Sequence, residues 1–98
     1  MEDKQKHEIM FTQLVLMFHT AAMQQMGKLK NPLTDAVERN LEAAQNSIDL
    51  LDMLKEKTRG NLSADENRLL LQVIQELKLN YVDEAGKPEA KDDKPPET

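Results

Sequence analysis

Between Met10 and Gly27 the chain reads MFTQLVLMFHTAAMQQMG and carries no Asp, Glu, Lys or Arg. Its apolar positions recur with the spacing of a helix. Met10, Phe11, Leu14, Val15, Met17, Phe18, Ala21, Ala22 and Met26 fill about half of a helical wheel. Ile9, Leu16 and Met23 recur at heptad intervals and make a second apolar line on the far side. Thr12 and His19 divide the two on one flank; Gln13, Thr20 and Gln24 divide them on the other. The pattern predicts a helix from about Lys4 to Met26. Gly27 suits the left-handed position that closes such a helix. A helix that is apolar on two sides is normally covered on two sides.

Two more amphipathic runs follow the turn signal KLKNPLT, where Pro32 bars helix continuation and restricts Asn31. In the first, Val37, Leu41, Ala44, Ile48 and Leu51 form a stripe, widened by Ala43, Leu50 and Leu54. Glu38, Glu42, Gln45, Asp49, Asp52 and Glu56 lie opposite. This predicts a second helix starting after Thr34 or Asp35, either of which can cap it. It ends at KEKTRGN, where Lys55, Lys57 and Arg59 suit the negative end of the helix dipole and Gly60 stops it. The third begins with a capping box, Ser63 to Glu66, and runs to about Val82. Leu69, Leu70, Val73, Ile74, Leu77 and Tyr81 share its apolar face, with Leu71, Leu79 and Val82 outside it. The short link GNL predicts an antiparallel hairpin of helices two and three. Strict alternation of the strand kind is absent.

After Val82 the composition changes. The run DEAGKPEAKDDKPPET holds three of the four prolines and mixed charge, too little apolar matter to offset the entropy of ordering. The expected organisation is therefore all-α: a three-helix domain over residues 1–84 and a disordered acidic tail over 85–98. With 98 residues, 39% hydrophobic, and only Phe11, Phe18 and Tyr81 as aromatics, the core must be built from aliphatics and Met. A single core of this size supplies only about 3–5 kcal/mol.

Composition removes several function classes. Without Cys there is no disulfide, thiolate or Cys-based metal chemistry. Eighteen acidic against 13 basic residues, a net charge of −5, leave no basic face for nucleic acid. The opening MEDKQKHE shows no signal-peptide pattern. The polar groups of Thr12, Gln13, His19, Thr20, Gln24 and Gln25 weigh against a transmembrane reading of helix one, because lipid would desolvate them.

The blocks AAMQQMGKLKNP, LEAAQNSIDLLDMLKEKTRGNLSADENRLL and ELKLNYVDE resemble a small helical family catalogued as domain of unknown function 1844. The likeness covers residues 9–84, and IDLLDMLKEKTRGNL, residues 48–62, is its most specific part. His19, Met23, Gln24 and Gln25 sit where the family pattern is loose, and the tail lies outside it. The resemblance implies a bacterial, cytoplasmic protein without assigned activity, and it carries over no catalytic residue.

Candidate chemistry is sparse. His19 and Met23 are an i, i+4 pair able to offer two soft ligands to haem or copper, but they make an incomplete site. A polar seam residue, hydrogen-bonded to a neighbour, is the simpler reading of His19. Asp49, Asp52 and Glu56 line one helix face, yet no Glu-x-x-His motif completes a di-iron site. The methionines suit core gap-filling, and the cations of KEKTRGN suit helix termination. No nucleophile triad, phosphate loop or zinc spacing is present. The resulting expectation is a non-enzymatic, cofactor-free helical module that self-associates through helix one, as a dimer. Its contact draws on Ile9, Leu16 and Met23 with Met10, Leu14, Met17 and Phe18. A small-ligand or metal/haem protein using His19 is the alternative. A peripheral membrane protein is the third reading, disfavoured by the lack of a Lys/Arg-rich polar face.

Overall fold

The computed structural model describes residues 2–87. Three helices make the domain: α1 (Asp3–Met26), α2 (Leu41–Lys57) and α3 (Ala64–Ala85). Each packs against the other two. No strand occurs among the described residues beyond one isolated bridge, Asn31 to Ala36.

The ends of α1 and α3 follow local chemistry. Gly27 sits at φ +88, and the amides of Gly27 and Lys28 return to the carbonyls of Gln24 and Met23 at 3.0 and 2.8 Å. This is a Schellman closure, which needs the left-handed region that glycine enters without penalty. At the start of α3 the Glu66 amide donates to the Ser63 hydroxyl at 3.1 Å, and the Ser63 amide donates to the Glu66 carboxylate at 2.8 Å. Both halves of the expected box are present.

The start of α2 differs from the expectation. The helix begins at Leu41, not after Thr34 or Asp35, and its cap is Asn40, whose side chain accepts from the Ala43 amide at 3.0 Å. The preceding residues are held by a turn. Asn31 accepts the Leu33 amide on its side chain, and the Thr34 and Asp35 amides on its carbonyl. Asp35 is forced to φ +55, outside the helical region. The chain then runs extended, and the Asn40 amide donates to the Gln25 carbonyl at 2.6 Å. Long-range bonding to the end of α1 therefore selects Asn40 as the cap over Thr34 and Asp35. Val37, expected in the α2 stripe, is exposed in the loop.

The core takes residues from all three helices: Val15, Ala22 and Met26; Ala44, Ile48 and Leu51; Leu70, Val73, Ile74 and Leu77. Phe11, Phe18, Met23, Leu54, Leu69 and Tyr81 pack around it. Ala44, Ile48 and Leu51 of the stripe read on α2, and Leu70, Val73, Ile74 and Leu77 of that on α3, are thus buried, whereas Leu50 is exposed. Helix α3 continues past Val82 to Ala85, and Lys87 folds back to Glu84 at 3.0 Å. Residues 85–87 therefore belong with the helical domain. The rest of the expected tail, 88–98, lies outside the described residues.

Leu77 is fully enclosed, whereas Leu79 is 73% exposed. Leu77→Ala is expected to lower unfolding free energy by about 2–5 kcal/mol. Leu79→Ala should change it by no more than about 0.5 kcal/mol. Chemical denaturation of the two variants checks the register of α3; comparable losses would contradict it.

Candidate interaction surface

Helix α1 meets the α2–α3 hairpin with one half of its perimeter. Val15, Ala22 and Met26 point into the core, with Phe11 and Phe18 beside them. The boundary cuts through the broad apolar arc: Met10, Leu14 and Met17 belong to that arc and are exposed. The far line also splits. Ile9 and Leu16 are exposed, while Met23 packs against the core. Of the seven residues expected at a contact, five therefore lie open, and Phe18 and Met23 serve the subunit's own interior.

The open half has an order of its own. Met10, Leu14, Met17, Ala21 and Gln24 follow one another at spacings of four, three, four and three, the seam spacing of paired helices. Ile9, Leu16, Gln13 and Thr20 flank the seam. From Ile9 to Gln24 this helix carries no Asp, Glu, Lys or Arg, and its His19 faces α3. The stretch is about 24 Å long at the helical rise. Met17, 67% exposed, is its highest point. Next to it Gln13, Leu16, Thr20, Ala21 and Gln24 border a shallow, open, largely apolar depression.

His19 occupies the seam between α1 and α3. Its Nε2 is shielded from solvent and lies 3.3 Å from Oε2 of Glu76, without the alignment of a hydrogen bond. Met23 leans on the core instead of joining it in an open ligand pair. The carboxylates of α2 go to separate partners. Asp49 accepts from Gln45 at 2.9 Å, Asp52 meets Lys78 at 3.1 Å, and Glu56 meets Arg59 at 2.6 Å. Among the described residues no three His, Cys, Asp or Glu side chains converge as a metal site.

The strongest electrostatics lie at the other end of the bundle. Glu84 is only 7% exposed and falls on the heptad line of Leu70 and Leu77. Lys28 reaches it at 3.0 Å and Asp83 at 2.8 Å; Lys87 reaches them at 3.0 and 3.3 Å. The Arg39 guanidinium donates to the Glu84 carbonyl and stands 3.9 Å from its carboxylate. Ser47, also buried, donates to the Gln25 side chain at 2.7 Å. These bonds bind the end of α1 and the 28–40 loop to α2 and α3. Neither the Glu84 cluster nor the Ser47 bond was expected. The signal for the first was an acid in the phase of the α3 core stripe.

The cluster shifts its members' titration. Burial would raise the Glu84 carboxyl, but hydrogen bonds from Lys28 and Lys87 outweigh it and hold the group below its ordinary value of 4.5. Hydrogen bonding from Lys28, then Lys87, lowers Asp83 below 3.8. Bonds to Asp83 and Glu84 raise Lys28 above 10.5.

Together these features define an all-α, three-helix domain with one charge-free helix face turned outward. The chain belongs to the family described as Domain of unknown function (DUF1844), whose model matches residues 8–83. No curated protein and no solved structure matches it. Among the described residues no helix is long and apolar enough to cross a membrane.

The pKa directions set a pH window. The lowered carboxyls contribute stability that is present above their ordinary range and lost as pH falls through the lowered values. Raised Lys28 contributes stability present below 10.5 and lost as pH rises past its raised value. The melting temperature is expected to be flat between roughly pH 5.5 and 9.5 as far as this cluster is concerned. Glu84→Gln should lower it by a few degrees within that window and make the acid-side decline shallower. An acid limb identical to that of the parent chain would remove Glu84 from the account.

Proposed function

We propose that the protein is a non-enzymatic helical module that pairs with a second copy of itself through the outer face of α1. The observation that carries this reading is the heptad-spaced, uncharged seam Met10–Leu14–Met17–Ala21–Gln24, whose Met10, Leu14 and Met17 are exposed and whose Ala21 and Gln24 are half-buried. Folding of the single subunit does not require it, since the core uses the opposite half of the helix.

Charge selects a second copy over other occupants. Each chain carries a net −5, so copies meeting through their charged faces repel. The seam is the surface where two of them approach without that cost. An anionic membrane is disfavoured by the same net charge and by the absence of lysine and arginine along this face. Pairing also suits the size of the domain, because a small core gains from the apolar area a partner covers. The spacing matches what one helix presents to another, with side chains from alternate turns entering the gaps of the facing helix. Two-fold pairing is the commonest closed form of such contacts.

Light scattering of the full chain at micromolar concentration is expected to give twice the 11.2 kDa chain mass. Met17→Asp should return it to the single mass while keeping its helical circular dichroism, because Met17 is outside the core. Val15→Asp, which places a charge in the core, should unfold the chain instead. A parent chain that stays at single mass up to about 100 μM, weaker than most specific pairings, would refute the proposal.

A further inference from the structure

We infer that the two copies pack antiparallel, with the two-fold axis passing beside Met17; this rests on the self-pairing proposed above. The observation behind it is that the seam is unequal along its length. Toward the N-terminal end it presents large side chains, Met10 and Leu14. Beyond Met17 it falls to the small side chains of Thr20 and Ala21; the shallow depression they border runs back past Met17 to Leu16 and Gln13.

A parallel pair sets each residue against its own copy. Met10 and Leu14 then crowd their counterparts, while Ala21 of one copy faces Ala21 of the other and leaves a gap. Interiors and contacts of native density do not leave such gaps. An antiparallel pair turned about Met17 sets Leu14 of each copy over Thr20 and Ala21 of the other, and Met10 over Gln24. Large meets small twice, once on each side of the axis, and the surface becomes self-complementary as a two-fold contact demands.

Charge and dipoles agree. Residues 2–8 hold Glu2, Asp3, Lys4, Lys6 and Glu8. Parallel packing stacks Asp3 and Lys6, which continue the seam, beside the same charge. Antiparallel packing moves the two segments to opposite ends and opposes the helix dipoles favourably. The N-terminal end of one α1, with Asp3 in its first turn, then approaches the loop of the other copy that carries the exposed Lys30.

The chain has no cysteine, so single cysteines report geometry without background. Three full-length variants are needed: Met10→Cys, Met17→Cys and Gln24→Cys. A disulfide requires Cα atoms within about 7 Å. In the antiparallel pair the two Met10 positions lie about 21 Å apart along the axis, whereas Met10 of one copy faces Gln24 of the other. Under mild oxidation Met17→Cys is expected to form a covalent dimer. An equimolar mixture of Met10→Cys and Gln24→Cys should give the mixed dimer, identified by mass, roughly ten-fold faster than either variant alone. Fast self-linking of Met10→Cys, with no gain in the mixture, overturns the antiparallel arrangement and leaves self-pairing intact. Linking of Met17→Cys without the mixed dimer overturns it as well, because an antiparallel pair that brings Met17 to its own copy must also bring Met10 to Gln24. Failure of every variant to link, with the parent chain at single mass, overturns both.

Discussion

Two helices packed side by side can cover about half of the perimeter of a third. That geometric limit governs this chain. The hairpin of α2 and α3 encloses Val15, Ala22 and Met26 and reaches round α1 to Phe18 and Gln25 on one side and to His19 and Met23 on the other. What lies on the other half is not determined by the fold of one subunit. Water would accept lysine or glutamate there at no cost, and such residues favour helix formation. The chain instead carries Met, Leu, Ile, Ala, Thr and Gln. The composition of the outer half is therefore a property of something other than the subunit's own interior.

The same limit explains what could be read from the sequence. Helices α2 and α3 each have one apolar stripe and one polar face, so periodicity alone identified which residues are enclosed. Ser63, Glu66 and Gly27 act within a few residues of chain, and their roles follow from types and spacing. On α1 the apolar residues go nearly all the way round. Such a helix has no preferred side, and its sequence does not show which half meets the hairpin. The division through the middle of the broad arc, with Val15 inward and Met17 outward, comes from packing against specific neighbours on α2 and α3.

Two further features were illegible for a different reason. Asp35 and Asn40 are both competent caps, and local propensity does not rank them. The choice is made by the Asn31 turn and by the bond from the Asn40 amide to Gln25, a partner on another helix. Glu84 finds Lys28 and Arg39 across most of the chain. A charge on a core stripe marks a position that needs partners, but periodicity cannot say which cations arrive. The DUF1844 match covers Lys28, Arg39 and Asp83 and stops just before Glu84.

Charge is thus distributed unevenly for a physical reason at each place. At the end of the bundle cations and carboxylates gather where a long loop must be held against helix ends, and the burial of Glu84 and Arg39 strengthens the contact between them. Along the outer side of α1 they are missing. An exposed apolar strip is a hazard in a monomer, since any copy can stick to any other. A contact that repeats head to tail would let the hazard grow into a filament, whereas a two-fold contact uses the strip once on each copy and closes. The unequal ends of the seam bear on that difference. A strip of uniform height admits many registers and both orientations. In the pairing proposed above, one that is high at Met10 and Leu14 and low at Thr20 and Ala21 favours a single orientation, and the net negative charge of the chain opposes association through its charged faces.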